Sequence, residues 1–442
     1  MNARRACLLM VTVALCIRLT VMAFVYPAGL DPARDHWKFA AETGRIARSI
    51  AENKGFSSPF FADTGPTAWL TPIFPYLLAG VFKAFGVYTK ASALAILSLD
   101  CLFSALTCIP VFFIARTSFG DRAALWAGWI WAFFPYSIHF ASSFIWDTTL
   151  SVLLMAIVFL VVLKLEGAPR WWPWFGFGLL AGFSALTDPV TLAAMPFLTL
   201  WMLWRLYERR ARWFAPGAAA LLGVLMLVSP WFVRNYRTFH KFVPFRTDLG
   251  VEFYSGNNAN DWDSDIRPPG YHPSDSEEEW LEYKQLREVN YVAVEKREAF
   301  AFIGSHKAHY AAMCLRRVIY IWTGFWSFSR HYLREEPYEP FDVVFCGALT
   351  ILAFLGLRRA FRERGAATAM PYVIVFLFFP LVYYITHPED YYRRPIDPML
   401  VILAAYAITS WHRPQTETAA QPFLRQVRSR NVFRDDDLIV QK

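Results

Sequence analysis

Apolar runs long enough to cross a bilayer recur along the whole chain, and no other feature constrains the fold as strongly. A helix rises 1.5 Å per residue, so a hydrocarbon core about 30 Å thick needs roughly 20 apolar residues. We read such segments at about 6–26, 93–115, 123–141, 147–164, 172–187, 190–206, 214–232, 342–357, 370–386 and 396–411. Two further stretches are apolar but interrupted. Residues 72–86 begin with prolines and contain Lys83, and 310–326 contain Arg316 and Arg317. Both are expected at the membrane edge, as interfacial or re-entrant pieces. The composition agrees, since 40 Phe and 18 Trp in 442 residues exclude an ordinary soluble domain. The expected class is an all-α polytopic membrane protein, a bundle of about 10 transmembrane helices with loops on the outer face.

The net charge of +8 reports orientation in such a chain and does not point to nucleic acid. With the N-terminus inside, Arg116 and Arg122, Lys164 and Arg170, Arg205 to Arg212, and Arg358 to Arg364 all fall in cytoplasmic loops. Counting 72–86 as a span would turn every later basic loop outward, which disfavours it. The membrane domain then covers 1–412, with a first outer loop at 27–92 and a large outer loop at 233–341. Residues 413–442 form a polar cytoplasmic tail expected to be disordered. Residues 6–26, preceded by Arg4 and Arg5, read as a retained signal anchor. Arg18 inside that span must either snorkel or meet a neighbouring helix. The six cysteines show no CxxC and no metal spacing, so no disulfide framework, metal site or cofactor is expected.

Charges on the outer side are the candidates for chemistry. Residues 36–52 suit an amphipathic surface helix, on which Asp35 and Glu42 share a face and Arg45 stands three residues after Glu42. Asp147 opens the fourth span, where an acid either faces a water-filled cavity or complements the helix dipole. Asp188 suits a cap in a tight turn. Arg234, Arg237, Lys241 and Arg246 follow the seventh span, and Arg393 and Arg394 lie between the last two. Outward-facing arginines at head-group level need an anionic partner. Lipid phosphate suits their bidentate fork, and local salt bridges with Glu389, Asp390 and Asp397 are the alternative.

The order of the motifs "ETGRIARSI", "TGPTAWLTPIFP", "PWFVRNYRTFHKFVPFR", "GVEFYSGNN" and "HPEDYYRRPIDPMLV" resembles the GT-C membrane glycosyltransferases. The likeness is to the family 39, or protein-O-mannosyltransferase-like and aminoarabinose-transferase-like, group. It spans most of 1–412. It implies transfer of a sugar from a polyprenyl-phosphate carrier to a lipid, glycan or protein, with inversion, on the outer face of a bacterial inner or plasma membrane. Substrate lipids and the surrounding bilayer are then the expected partners. The hallmark of the group is an acid in the first outer loop, often an Asp-Glu pair. This chain departs from it, because Asp35 and Glu42 stand apart. The resemblance implies Glu42 or Asp35 as the base, with Asp147 orienting the acceptor or a metal. Arg45, Arg234, Arg393 and Arg394 would hold the donor phosphate. Two other classes compete: a flippase of lipid-linked sugars, to which Asp100 inside a span lends support, and a non-catalytic partner in envelope-glycan assembly.

Overall fold

The computed structural model describes residues 3–25, 39–258, 272–274 and 276–411. Among these residues it is helical throughout, with one isolated antiparallel bridge between Ser57 and Pro66. Seven helical segments are long and apolar enough to cross a membrane: Ala3–Phe24, Lys90–Phe119, Thr148–Leu165, Pro189–Glu208, Phe214–Phe239, Glu339–Arg364 and Ala366–Ile385. The chain is therefore an integral, multi-pass membrane protein. The other three expected spans form shorter helices.

Each shortening has a physical cause. The segment expected at 123–141 splits into Asp121–Ala132 and Pro135–Ser143. Pro135 has no N–H to give the Trp131 carbonyl four residues before it, so the helix ends with its last carbonyls short of helical partners. Arg18, fully buried in the first span, donates to two of them, Trp131 at 3.2 Å and Ala132 at 3.0 Å. It also donates to Ser104 and Ser137, both at 2.7 Å. Arg18 therefore meets its neighbours and does not snorkel. The last helix, Asp397–Ser410, has only 14 residues, 13 of them buried by protein, so it does not need the length of a lipid-facing span. Trp171–Thr187 has 17 residues and lies against Phe214–Phe239. Their backbones nearly touch where glycines cross. A side chain at Gly178 would come within 2.0 Å of the Ala220 carbonyl, and one at Gly223 within 2.4 Å of that of Phe175. Small residues permit this approach in lipid, where packing replaces the hydrophobic effect as the driving force.

The interrupted stretches are helices too, Ile73–Phe85 and Lys307–Thr323. The surface helix spans Ala41–Ala51 and buries eight of its 11 residues, so it is embedded in protein and is not a solvated amphipathic element. Its C-terminal end is followed by left-handed turns at Asn53 and Gly55. One end of the bundle thus carries this helix, the 56–71 loop, the 240–258 segment, helices Glu277–Leu286 and Glu288–Ser305, and the 386–396 turn.

Candidate functional site

At that end lies an open cavity of about 190 Å³ walled by the Ala41–Ala51 helix, the 56–71 loop, the 240–258 segment and the 386–396 turn. Glu42, Trp69, Asp147, Asp188, Arg246, Asp248, Glu252, His272 and His387 line it. Glu42 and Asp147, 105 positions apart in sequence, thus face one space. Asp35 lies outside the described residues.

Glu42 sits in the first turn of Ala41–Ala51, just after two left-handed alanines, Ala40 (φ 57°) and Ala41 (φ 37°). Such strain in non-glycine residues collects at functional sites. Gly44 is required here, since a side chain would stand 2.5 Å from the Phe39 carbonyl. Ser274 donates to Glu42 Oε1 at 2.8 Å, and His272 Nδ1 stands 3.7 Å from the same oxygen. Arg45 Nη1 reaches Ser274 Oγ at 3.4 Å and Pro59 O at 3.4 Å, with its guanidinium 4.3 Å from the centre of the Phe61 ring. Glu42 and Arg45 are thus linked through a serine from the large loop. The 3-residue spacing between them in sequence gave no hint of Ser274.

The Trp69 wall is held by two charges, the buried Glu288 and the half-buried Arg234. Glu288 accepts from Ala68 N at 2.8 Å, Thr247 Oγ1 at 2.8 Å, Tyr283 Oη at 3.1 Å and the Thr67 hydroxyl. Arg234 donates to the carbonyls of Thr67 at 2.5 Å and Phe56 at 2.8 Å. Arg234 therefore acts as a clamp on the loop, with its donors on two backbone carbonyls and Asn235 Oδ1. Thr247 N also bonds Ala68 O at 2.9 Å, which carries Arg246 and Asp248 to the cavity on either side of Thr247. Upstream, Trp231 Nε1 to Phe245 O at 2.7 Å and Asn235 Nδ2 to Val243 O at 3.0 Å fold this segment back on the span.

The opposite wall is the 386–396 turn, through His387, Tyr391, Tyr392 and Pro395. Arg393 and Arg394 are both buried in protein and share Asp397. Arg393 Nε lies 3.1 Å from Asp397 Oδ1, and Arg394 Nη1 lies 3.1 Å from Oδ2. Arg393 also donates to Ile321 O at 3.2 Å, and Arg394 stacks 3.5 Å over the Tyr136 ring. The four arginines read as phosphate ligands are thus tied to Ser274, backbone carbonyls and Asp397, and none of them lines the cavity. The guanidinium that does so is that of Arg246. It stands in the basic run after the seventh span, where the sequence offered four cations and no means of ranking them.

Five carboxylates, Glu42, Asp147, Asp188, Asp248 and Glu252, line the cavity with that arginine. Arg246 Nε is 3.0 Å from Asp248 Oδ1, and Asp188 accepts from Val190 N at 3.0 Å as the cap of a short 3₁₀ turn. His387 Nε2 is 3.2 Å from Glu252 Oε2 and 3.1 Å from the Tyr392 hydroxyl. Burial pushes Asp147, Asp188 and Asp248 above the ordinary carboxylate range. Neighbouring Asp188 adds to this for Asp147, and Glu252 and Glu42 add to it for Asp248. Arg246 pulls all three the other way. Its own proton is held more tightly than usual: burial opposes the charge, and Asp248, Asp188 and Glu252 outweigh it. Among the described residues no group of three or more His, Cys, Asp or Glu is arranged to hold a metal ion.

The helical bundle is similar in fold to solved membrane glycosyltransferases. The oligosaccharyltransferase of Archaeoglobus fulgidus in the apo form aligns over 92% of this chain at 12% identity, with a TM-score of 0.52. The same enzyme tethered to an acceptor peptide containing the NVT sequon aligns over 91%, at 12% identity and a TM-score of 0.50. The chain spans about half the length of that enzyme, 50% and 49% in the two structures. ArnT from Cupriavidus metallidurans bound to undecaprenyl phosphate aligns over 91% of this chain and 77% of its own, at 13% identity and a TM-score of 0.39. The fold is that of the GT-C glycosyltransferases. Within it, residues 69–233 match the family model of the dolichyl-phosphate-mannose-protein mannosyltransferases. That match includes Trp69, Asp147 and Asp188 and leaves Glu42 and Arg246 outside. No curated protein sequence matches the chain.

Proposed function

We propose that the protein is an inverting glycosyltransferase of the outer face of a bacterial inner or plasma membrane. It moves a sugar from a polyprenyl-phosphate carrier to a hydroxyl of a lipid, glycan or protein. The observation that carries this reading is the convergence of Glu42, Asp147 and Arg246 on one open cavity at one end of the bundle. The acceptor hydroxyl attacks the anomeric carbon as the bond from that carbon to the phosphate oxygen breaks. The hydroxyl proton goes to Glu42, and the electron pair leaves with the polyprenyl phosphate. One carboxylate suffices, because the leaving group departs as an anion and needs no acid, unlike in glycoside hydrolysis.

Arg246 is the residue we assign to the departing phosphate, in place of Arg45, Arg234, Arg393 and Arg394. It lines the cavity, whereas the other four are engaged elsewhere. Its task is to stabilise charge that grows in the transition state. Asp147 orients the acceptor, and Trp69 offers an aromatic wall. The match to the dolichyl-phosphate-mannose-protein mannosyltransferase family model and the undecaprenyl-phosphate-bound ArnT are consistent with a lipid-phosphate donor. The test is release of free polyprenyl phosphate from a lipid-linked sugar by reconstituted protein. Glu42→Gln should slow it by about 10²–10⁴-fold, the usual contribution of a positioned base. Full activity in that variant would remove Glu42 from the mechanism.

A further inference from the structure

A second cavity, of about 640 Å³, lies behind the Trp69 loop, away from the candidate catalytic residues. Lys241, Lys284 and Arg287 line it, beside Asp63, Glu288 and Asn290. Both acids are already committed. Asp63 accepts from Ser58 Oγ at 3.0 Å and Gly65 N at 3.2 Å, and the Glu288 carboxylate is buried among its four donors. Lys241 donates to a neutral group there, Asn290 Oδ1 at 3.0 Å. Thr238 and Phe239, which also line the cavity, are the last residues of the span Phe214–Phe239, so the opening sits at the depth of lipid head groups.

Arg287 supplies an independent observation. Its backbone has φ 66° and ψ 153°, a region reserved almost entirely for glycine. That conformation lets its carbonyl accept from Tyr291 N at 2.9 Å and Asn290 N at 3.1 Å, starts the helix Glu288–Ser305, and sends Glu288 into its buried slot. Glycine would do all this without strain. The arginine instead places an exposed cation on the cavity wall. We propose that this cavity binds a phosphate-bearing group through Lys241, Lys284 and Arg287. Occupancy then bears directly on Glu288, and through it on the loop that presents Trp69 to the candidate catalytic cavity.

The phosphate can come from a bilayer lipid or from a soluble ion, and the test separates the two. Hydrogen exchange of residues 63–69 and 283–290 is compared in phosphatidylcholine nanodiscs with and without phosphatidylglycerol, and in detergent with and without inorganic pyrophosphate. Protection by either probe supports the site and identifies the source. Protection by neither overturns it. Each cation removed, by Lys241→Gln, Lys284→Gln or Arg287→Gln, should weaken binding about fivefold, as expected for one basic residue near an anionic surface. Undiminished protection in the triple variant also overturns the proposal. Arg287→Gly separates ligand binding from folding, because it should weaken binding while leaving thermal stability unchanged or higher. A matching loss of both would make Arg287 a structural residue. None of these readouts depends on glycosyl transfer, so they stand or fall separately from the proposed reaction.

Discussion

Replacing Glu288 by alanine should detach the Trp69 loop from its anchor. The carboxylate takes bonds from the Thr67 hydroxyl, Ala68 N, Thr247 Oγ1 and Tyr283 Oη, in a site only 5% exposed. Hydrogen bonds to a charged group contribute about 1.5–3 kcal/mol each, but four to one buried carboxylate do not add, because removing it also refunds its desolvation. A net local loss on the order of 3–4 kcal/mol follows. That corresponds to about 10²–10³-fold faster hydrogen exchange at Ala68 and its neighbours, since opening the loop becomes cheaper by that amount. Arg234 still holds Thr67 and Phe56, so the bundle should stay folded. Glycosyl transfer should fall sharply, because a wall displaced by about 1 Å is enough to cost some hundredfold. Glu288→Gln, which keeps an acceptor oxygen, should lie between. Unchanged exchange at 67–71 in a folded Glu288→Ala protein would refute the clamp.

Other consequences can be checked separately. Arg393→Ala or Arg394→Ala leaves Asp397 buried with one partner fewer, so each should lower the thermal stability of the purified protein, by about 3–5 kcal/mol if the remaining arginine does not compensate. A loss of donor use with stability intact would instead return these arginines to the phosphate. Asp248 has a folded pKa raised from 3.8 to about 8, chiefly by burial, so it favours the folded state at low pH and that contribution is lost as pH rises through this window. Thermal unfolding followed from about pH 4 to about pH 8 should therefore show a shallower decline in Asp248→Asn than in the native protein. Gly178→Leu forces a side chain into the Ala220 carbonyl and should abolish accumulation of folded protein, as followed by fluorescence-detected size exclusion.

The architecture was largely written in the apolar runs, and the sequence erred where helices depend on partners. Nothing in 123–141 says that Arg18, more than a hundred residues earlier, will cap carbonyls at a break. Asp397–Ser410 passes for a span by hydropathy because a helix buried in protein is as apolar as one in lipid. Glu42 and Asp147 were legible as acids next to apolar surface, and the structure brings both to one cavity. The arginines were not, since sequence gives a charge its side of the membrane and not its partner. Asp397, three and four residues from Arg394 and Arg393, was already in view as a competitor. Arg246 could be singled out only once Trp231 and Asn235 had folded its segment back over the cavity. Ser274 and His272 depend on a long-range return of the chain, for which no local pattern exists.

The central claim, that Glu42 in this cavity drives sugar transfer from a lipid carrier, is tested most directly by mass spectrometry of envelope lipids and glycoproteins. Cells lacking the gene are compared with cells carrying the native protein or the Glu42→Gln variant at equal membrane abundance. A glycoconjugate should be present with the native protein and missing both from the deletion and from the variant. Restoration of that glycoconjugate by Glu42→Gln, or no difference between the deletion and the native strain, would contradict that claim.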